Sequence, residues 1–135
     1  PDLSVMENMH VGHLPKRHLT IDWRAVRKYA EQALKGLNID IDVTRTMREL
    51  SVVERQIVEI ARAVSGDAKI LVMDEPTAAL TPKEVDKLFE VVGRLKARGV
   101  GIIYVSHRLD EIFRVADRVQ VLRDGKHVAS KTIRE

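Results

Sequence analysis

No cysteine occurs among the 135 residues, so the chain can hold neither a disulfide framework nor a thiolate metal site, and no redox chemistry is expected of it. That fits a reducing compartment. Long apolar runs are missing too. The longest, such as Ile70 to Met73 and Ile102 to Val105, are far too short to span a bilayer, and the N-terminus has no charged-then-apolar signal pattern. Any link to a membrane is expected to run through a partner. Neither sign of charge is gathered into a block: 23 Lys plus Arg are interspersed with 20 Asp plus Glu, and the net charge of +3 reads as a solvated mixed surface with no nucleic-acid partner. An initiator Met is absent as well, and the opening Pro1-Asp2-Leu3-Ser4 suggests a piece of something longer.

What is present is enough for a core. With 44% hydrophobic residues in a chain of single-domain length, one ordered unit is expected. A Ser or Thr followed three residues later by Glu marks helix starts at Ser4/Glu7, Ser51/Glu54 and Thr81/Glu84, because the two side chains satisfy each other's orphan amide donors. The third start has Pro82 at its first helical position, followed by Val85, Leu88, Phe89, Val92 and Leu95 at helical spacing, and Gly99 stops it. The second carries Val53, Ile57, Ile60, Ala61 and Val64 on one stripe and ends near Ser65-Gly66. A further helix from Asp22 to about Gly36 to Asn38 is expected to bury Trp23, Val26, Ala30, Ala33, Leu34 and Leu37.

Two short apolar runs, Lys69 to Met73 and Val100 to Ser106, do not alternate, as expected of strands buried on both faces of a parallel sheet. A strand, helix, strand unit brings their C-terminal ends to one sheet edge, where ligands bind in such folds. Asp74-Glu75 and Ser106-His107 therefore belong together. An acidic pair at a strand end suits a Mg²⁺ contact followed by a base that orients an attacking water, the needs of phosphoryl transfer. A last hairpin, Arg118 to Arg123 and Lys126 to Ser130, closes at Asp124-Gly125.

Leu50-Ser51-Val52-Val53-Glu54-Arg55-Gln56 at a helix start, then Asp74-Glu75-Pro76-Thr77-Ala78-Ala79-Leu80, then His107 at the end of a strand resembles the nucleotide-binding subunit of ABC transporters. Leu3 to Asn8 looks like the segment after the Q-loop, and Val121 to Gly125 like the hairpin after the switch histidine. The details look most like the subunits that energise import of monosaccharides such as ribose, galactose or xylose. The resemblance implies an α/β fold: part of a P-loop NTPase (RecA-like) parallel sheet with its helices, the ABC helical subdomain and a terminal β-hairpin. Residues 1–50 would form the helical subdomain, and 51–135 the signature helix with the Walker B, D-loop and H-switch half of the core.

It also implies an ATP hydrolase using ATP and Mg²⁺. Asp74 would hold Mg²⁺, directly or through water; Glu75 would take the proton from, or orient, the attacking water; His107 would hydrogen-bond the γ-phosphate. Ser51, Val52, Val53 and Glu54 would form the signature loop that meets ATP on an opposite domain, and Ala79, Leu80 and Thr81 the D-loop at that interface. The implied partners are a second nucleotide-binding domain in the same polypeptide, transmembrane permease subunits and, indirectly, a periplasmic or extracellular sugar-binding protein. The implied location is the cytoplasmic face of the plasma membrane.

Departures bear on these expectations. Two glycines usually follow the signature serine, where Val52 and Val53 stand here, and Thr81 holds a position usually Asp; both changes suit the sugar-importer group. The seven glycines never make Gly-x-x-x-x-Gly-Lys-Ser/Thr, and the Q-loop glutamine, expected before Pro1, is missing. The chain by itself is thus expected to be inactive. A non-catalytic fragment stays open as an alternative, as does a DNA-maintenance ATPase of the same superfamily. The residues before Ser51 hold no sustained heptads, which disfavours the latter. Plain structural readings also stand: Ser51 as an ordinary N-cap, His107 as a strand-end histidine. His10, His13 and His18, loosely spaced around Gly12 and Pro15, read as a solvated loop, and Lys16-Arg17-His18 as a solvated turn.

Overall fold

The computed structural model describes residues 2–12, 15–17, 20–66 and 68–133. Along the chain come α1 (Val5–Met9), a short ribbon of β1 (Lys16–Arg17) and β2 (Thr20–Ile21), α2 (Trp23–Gly36), a 3₁₀ turn (Met47–Glu49), α3 (Val52–Val64), β3 (Ile70–Asp74), α4 (Pro82–Ala97), β4 (Gly101–Val105), α5 (Leu109–Val115), β5 (Arg118–Arg123) and β6 (Lys126–Thr132). All of the expected Ser/Thr-to-Glu boxes form, opening α1, α3 and α4. A further box, Thr46 with Glu49, opens the 3₁₀ turn and was not expected. In three of the four boxes the cap residue's own N–H, donating to the glutamate, is the main cause holding that carboxyl below its ordinary range: Glu49, Glu54 and Glu84.

Helix ends follow from backbone chemistry. At the end of α4, Gly99 takes φ 81°, Gly99 N–H donates to the Lys96 carbonyl (2.9 Å) and Val100 N–H to the Leu95 carbonyl (3.1 Å). The same pair of bonds ends α2, with Asn38 at φ 57° in glycine's place.

The buried cluster runs through α1 to α4 and one face of β3: Val5 and Met9 of α1, Ala30 and Leu34 of α2, Val53 to Ala61 of α3, Leu88 to Leu95 of α4, and Leu71 and Met73 of β3. Strands β3 and β4 are parallel, as expected. Their burial is not as expected. Side chains alternate across a strand, and only the Leu71 and Met73 face is covered; Ile70 and Val72 are 65% and 62% exposed, with Ile103 and Val105 beside them. The continuous apolar run reflects two apolar faces, of which the described residues cover one.

Three smaller expectations are corrected. Trp23 is 46% exposed, because the apolar stripe continues into the first turn of α2 but the surface it packs on does not. His10 is buried rather than solvated: its Nδ1 lies 3.0 Å from the Met6 carbonyl, and its ring meets Tyr29 edge-on at 4.6 Å. Lys16 and Arg17 are extended and paired with β2 rather than in a turn; Pro1, His13 and His18 lie outside the described residues. The hairpin forms as expected, with Asp124 and Gly125 both at positive φ (51° and 72°) and the second strand running to Thr132.

Candidate active site

Register sets the geometry. Ile70 to Asp74 pair one for one with Gly101 to Val105, so β3 and β4 end at the same level. The Glu75 N–H still donates to the Val105 carbonyl (2.9 Å), which extends the ladder by one bond. Glu75 then takes φ 45°, a left-handed conformation costly for a residue with a side chain. There the chain reverses: Ala78 N–H donates to the Glu75 carbonyl (3.1 Å) and Leu80 N–H to the Thr77 carbonyl (3.0 Å). The reversal carries the Glu75 carboxylate to the end of β4, where Oε1 accepts from the His107 backbone N–H (3.2 Å) and lies 2.8 Å from the His107 Nδ1. An ionised carboxylate offers only lone pairs, so in this contact Nδ1 carries the proton and Nε2 is left for another partner.

Asp74, one residue earlier, shares the uncovered face with Ile70 and Val72, and its carboxylate makes no hydrogen bond or ion pair among the described residues. No group of three or more His, Asp or Glu side chains that could hold a metal ion gathers among the described residues. Asp74 is thus a single uncommitted carboxylate, which fits Mg²⁺, a cation that takes one or two protein carboxylates and fills its octahedron with waters and phosphate oxygens.

Beneath the Glu75–His107 pair lies a carboxylate the sequence reading gave no role. Glu111 of α5 is 1% exposed. The Thr77 hydroxyl reaches both of its oxygens (2.7 Å each), and Oε2 accepts from the Tyr104 hydroxyl (2.7 Å) and the Ser106 hydroxyl (3.3 Å). Arg108 Nη1 lies 2.9 Å from Oε1. Burial, and next the bond to Glu111, push the Tyr104 hydroxyl well above the usual tyrosine range. Helix α5 has seven residues, too few for periodicity to announce it, and Glu111 is its buried residue.

The residues expected to form the signature loop stand apart from this edge. Ser51 caps α3: its N–H donates to Glu54 Oε2 (2.7 Å), and its Oγ accepts from the Glu54 N–H (3.3 Å). Arg45 Nη1 approaches Glu54 Oε1 at 3.5 Å. Val52 is exposed and Val53 is buried in the core. No hydrogen bond among the described residues joins Ser51 to Glu54 with Glu75 or His107. Ala79 is exposed, Leu80 half-buried, and Thr81 caps α4, its N–H (2.9 Å) and hydroxyl (2.8 Å) both donating to Glu84 Oε2.

A family model described as ABC transporter matches residues 1–78. The chain belongs to the ABC transporter family. Its relatives include the ribose import ATP-binding protein of Lactococcus lactis subsp. cremoris, 48% identical over 136 residues that cover 100% of this chain and 28% of that protein. The ribose import ATP-binding protein of Chromobacterium violaceum is also 48% identical, covering 98% of this chain and 27% of its own length. The chain thus spans little more than a quarter of these curated relatives. Among solved structures, a nucleotide-free ATP-binding cassette from an ABC transporter superposes with a TM-score of 0.83 at 27% identity, covering 98% of this chain and 56% of that one. A dimeric ATP-binding cassette in a post-hydrolysis state bound to ADP and Pi gives 0.73 at 25% identity, covering 98% and 58%. The fold is accordingly the α/β fold of an ABC ATPase cassette, present here in part. No helix among the described residues is long and apolar enough to cross a membrane.

Proposed function

We propose that the protein carrying this chain binds ATP with Mg²⁺ and hydrolyses it to drive uptake of a monosaccharide, ribose being the sugar named for its relatives. The observation that supports this most directly is the Glu75 carboxylate held against His107 at the common end of two parallel strands. Glu75 takes the proton from the attacking water or orients it toward the γ-phosphate. Oε2 of Glu75 makes no hydrogen bond among the described residues, so it is the oxygen that faces the water.

His107 steadies Glu75 through Nδ1–H. To donate from Nε2 to a γ-phosphate oxygen at the same time, the ring must carry both protons; a neutral ring with Nδ1–H could only accept there. Asp74 would hold Mg²⁺, which when bound neutralises phosphate charge.

Ser51 at the N-terminus of α3, with Val52, Val53 and Glu54, meets ATP bound on a second nucleotide-binding domain, where the helix dipole favours an anion. Ala79, Leu80 and Thr81 lie along that dimer interface. Residues 1–50 act as the helical subdomain and 51–135 as the Walker B half of the core. Permease subunits and, through them, a sugar-binding protein complete the assembly at the cytoplasmic face of the membrane. Residues 1–135 alone carry no phosphate-cradling glycine loop and are inactive by themselves.

The test is Glu75→Gln in the full-length protein. ATP binding should persist while turnover falls about 10²- to 10⁴-fold, the usual worth of a positioned general base. Undiminished hydrolysis would remove Glu75 from that role.

A further inference from the structure

Glu75 and His107 are held together by little of their own. The imidazole is 81% exposed and the Glu75 side chain 34%, and a contact whose histidine side is so open to water contributes little to its own geometry. Something else must fix the two turns that carry them. The groups converging on Glu111 come from those turns. Thr77 lies two residues beyond Glu75, in the reversal after β3. Ser106 and Arg108 flank His107 on either side, and Tyr104 is the last residue but one of β4. Ser106 adds a second tie, its Oγ accepting from the Arg108 N–H at 3.0 Å.

A buried carboxylate is a costly way to fill space, and an apolar residue of similar volume often serves stability as well. What the carboxylate supplies that an apolar group cannot is several directed bonds from one point. Here those bonds reach the strand-end turns on both sides of the pair.

We propose that Glu111 is a positioning residue, which through Thr77 on one side and Ser106 and Arg108 on the other fixes the Glu75 carboxylate against the His107 ring. The inference rests on the ATPase reading for its consequence in turnover, but not for its geometry. Disturbing the Thr77 tie leaves Glu75 and His107 intact and lets them drift. Misplacement of reacting groups by about 1 Å can cost about 10²-fold in rate.

The experiment compares Thr77→Val, which keeps the β-branched shape and deletes the hydroxyl, with Thr77→Ser, which restores it, and with Glu111→Gln, all in the full-length protein. Two quantities are read: kcat and KM for ATP, and the ¹⁵N shifts of the His107 ring in the neutral state, which report whether Nδ1 carries the proton. Thr77→Val and Glu111→Gln should lower kcat about 10- to 100-fold with KM within about twofold, and should replace the Nδ1–H tautomer by a mixture. Thr77→Ser should stay within about twofold of the parent on kcat and keep its tautomer. Should Glu111→Gln fail to fold, Thr77→Val against Thr77→Ser decides alone. A folded Thr77→Val variant with unchanged kcat, or with lowered kcat and an unchanged His107 tautomer, overturns the proposal. If the parent protein hydrolyses no ATP, the ATPase reading fails separately; the tautomer comparison then decides whether Glu111 positions the pair.

Discussion

Val52 and Val53, the pair expected in the place of two signature glycines, stand side by side yet meet different surroundings. Val53 is 3% exposed and packs in the core beneath α3, while Val52 is 39% exposed at the helix start. Restoring glycine at each should therefore act unequally. Val53→Gly empties a core site and loosens the helix backbone, at a cost of about 2–4 kcal/mol; Val52→Gly should cost under about 1 kcal/mol. Urea unfolding of the two variants checks this, and equal losses would mean that Val53 does not anchor α3. At this scale the sequence was readable where chemistry depends on neighbours in the chain. Asp74 and Glu75 announced themselves as carboxylates ending an apolar run. Glu111 did not, because what defines it is a hydroxyl 34 positions away in the chain. Trp23 misled for a related reason: spacing names a stripe, and only the packed structure says where the stripe ends.

Elements were most legible where a single backbone demand selects the residue. The capping boxes at Ser4, Ser51 and Thr81, the Gly99 stop and the Asp124-Gly125 turn are of this kind, and each stands where its residues predict. The Thr46/Glu49 box has the same spacing but opens only a three-residue turn, because the Ser51/Glu54 box five residues on takes over the apolar repeat that follows. These boxes make the fold sensitive to acid. Glu7, through the Ser4 hydroxyl first, and Glu49, Glu54 and Glu84, through the cap backbone N–H first, all have carboxyls depressed below an ordinary value of 4.5. A depressed folded-state value means the stabilisation is fully present above pH 4.5 and is lost as pH falls through the lower, folded-state values. Thermal midpoints should hold level from pH 7 to about 5 and then decline below about 4.5. Replacing all four glutamates by Gln should lower the neutral-pH midpoint and flatten that decline; an unchanged acid slope would assign it to other carboxylates.

For the whole molecule, the two-sided apolar character of β3 and β4 was visible in the sequence, and the arrangement of layers was not. Which face α3 and α4 cover is decided by their packing on Leu71 and Met73, a tertiary fact with no local signature. The opposite face, with Ile70, Val72, Ile103 and Val105, lies open beside Asp74. Activity is likewise expected of a larger whole. Titrating residues 1–135 with Mg·ATP in a calorimeter should give no binding heat at micromolar concentrations and no phosphate release; turnover by this chain alone would overturn the proposal that its nucleotide site is incomplete. The caps of α3 and α4 bear on how that larger whole is put together. The Ser51 oxygen accepts from the Glu54 N–H and keeps its own proton uncommitted among the described residues, whereas Thr81 commits its proton to Glu84. Built on the same spacing, the two caps face outward with opposite polarity. Ser51 can therefore still donate to an incoming acceptor such as a phosphate oxygen, whereas Thr81 has only lone pairs left to offer to an N–H or O–H.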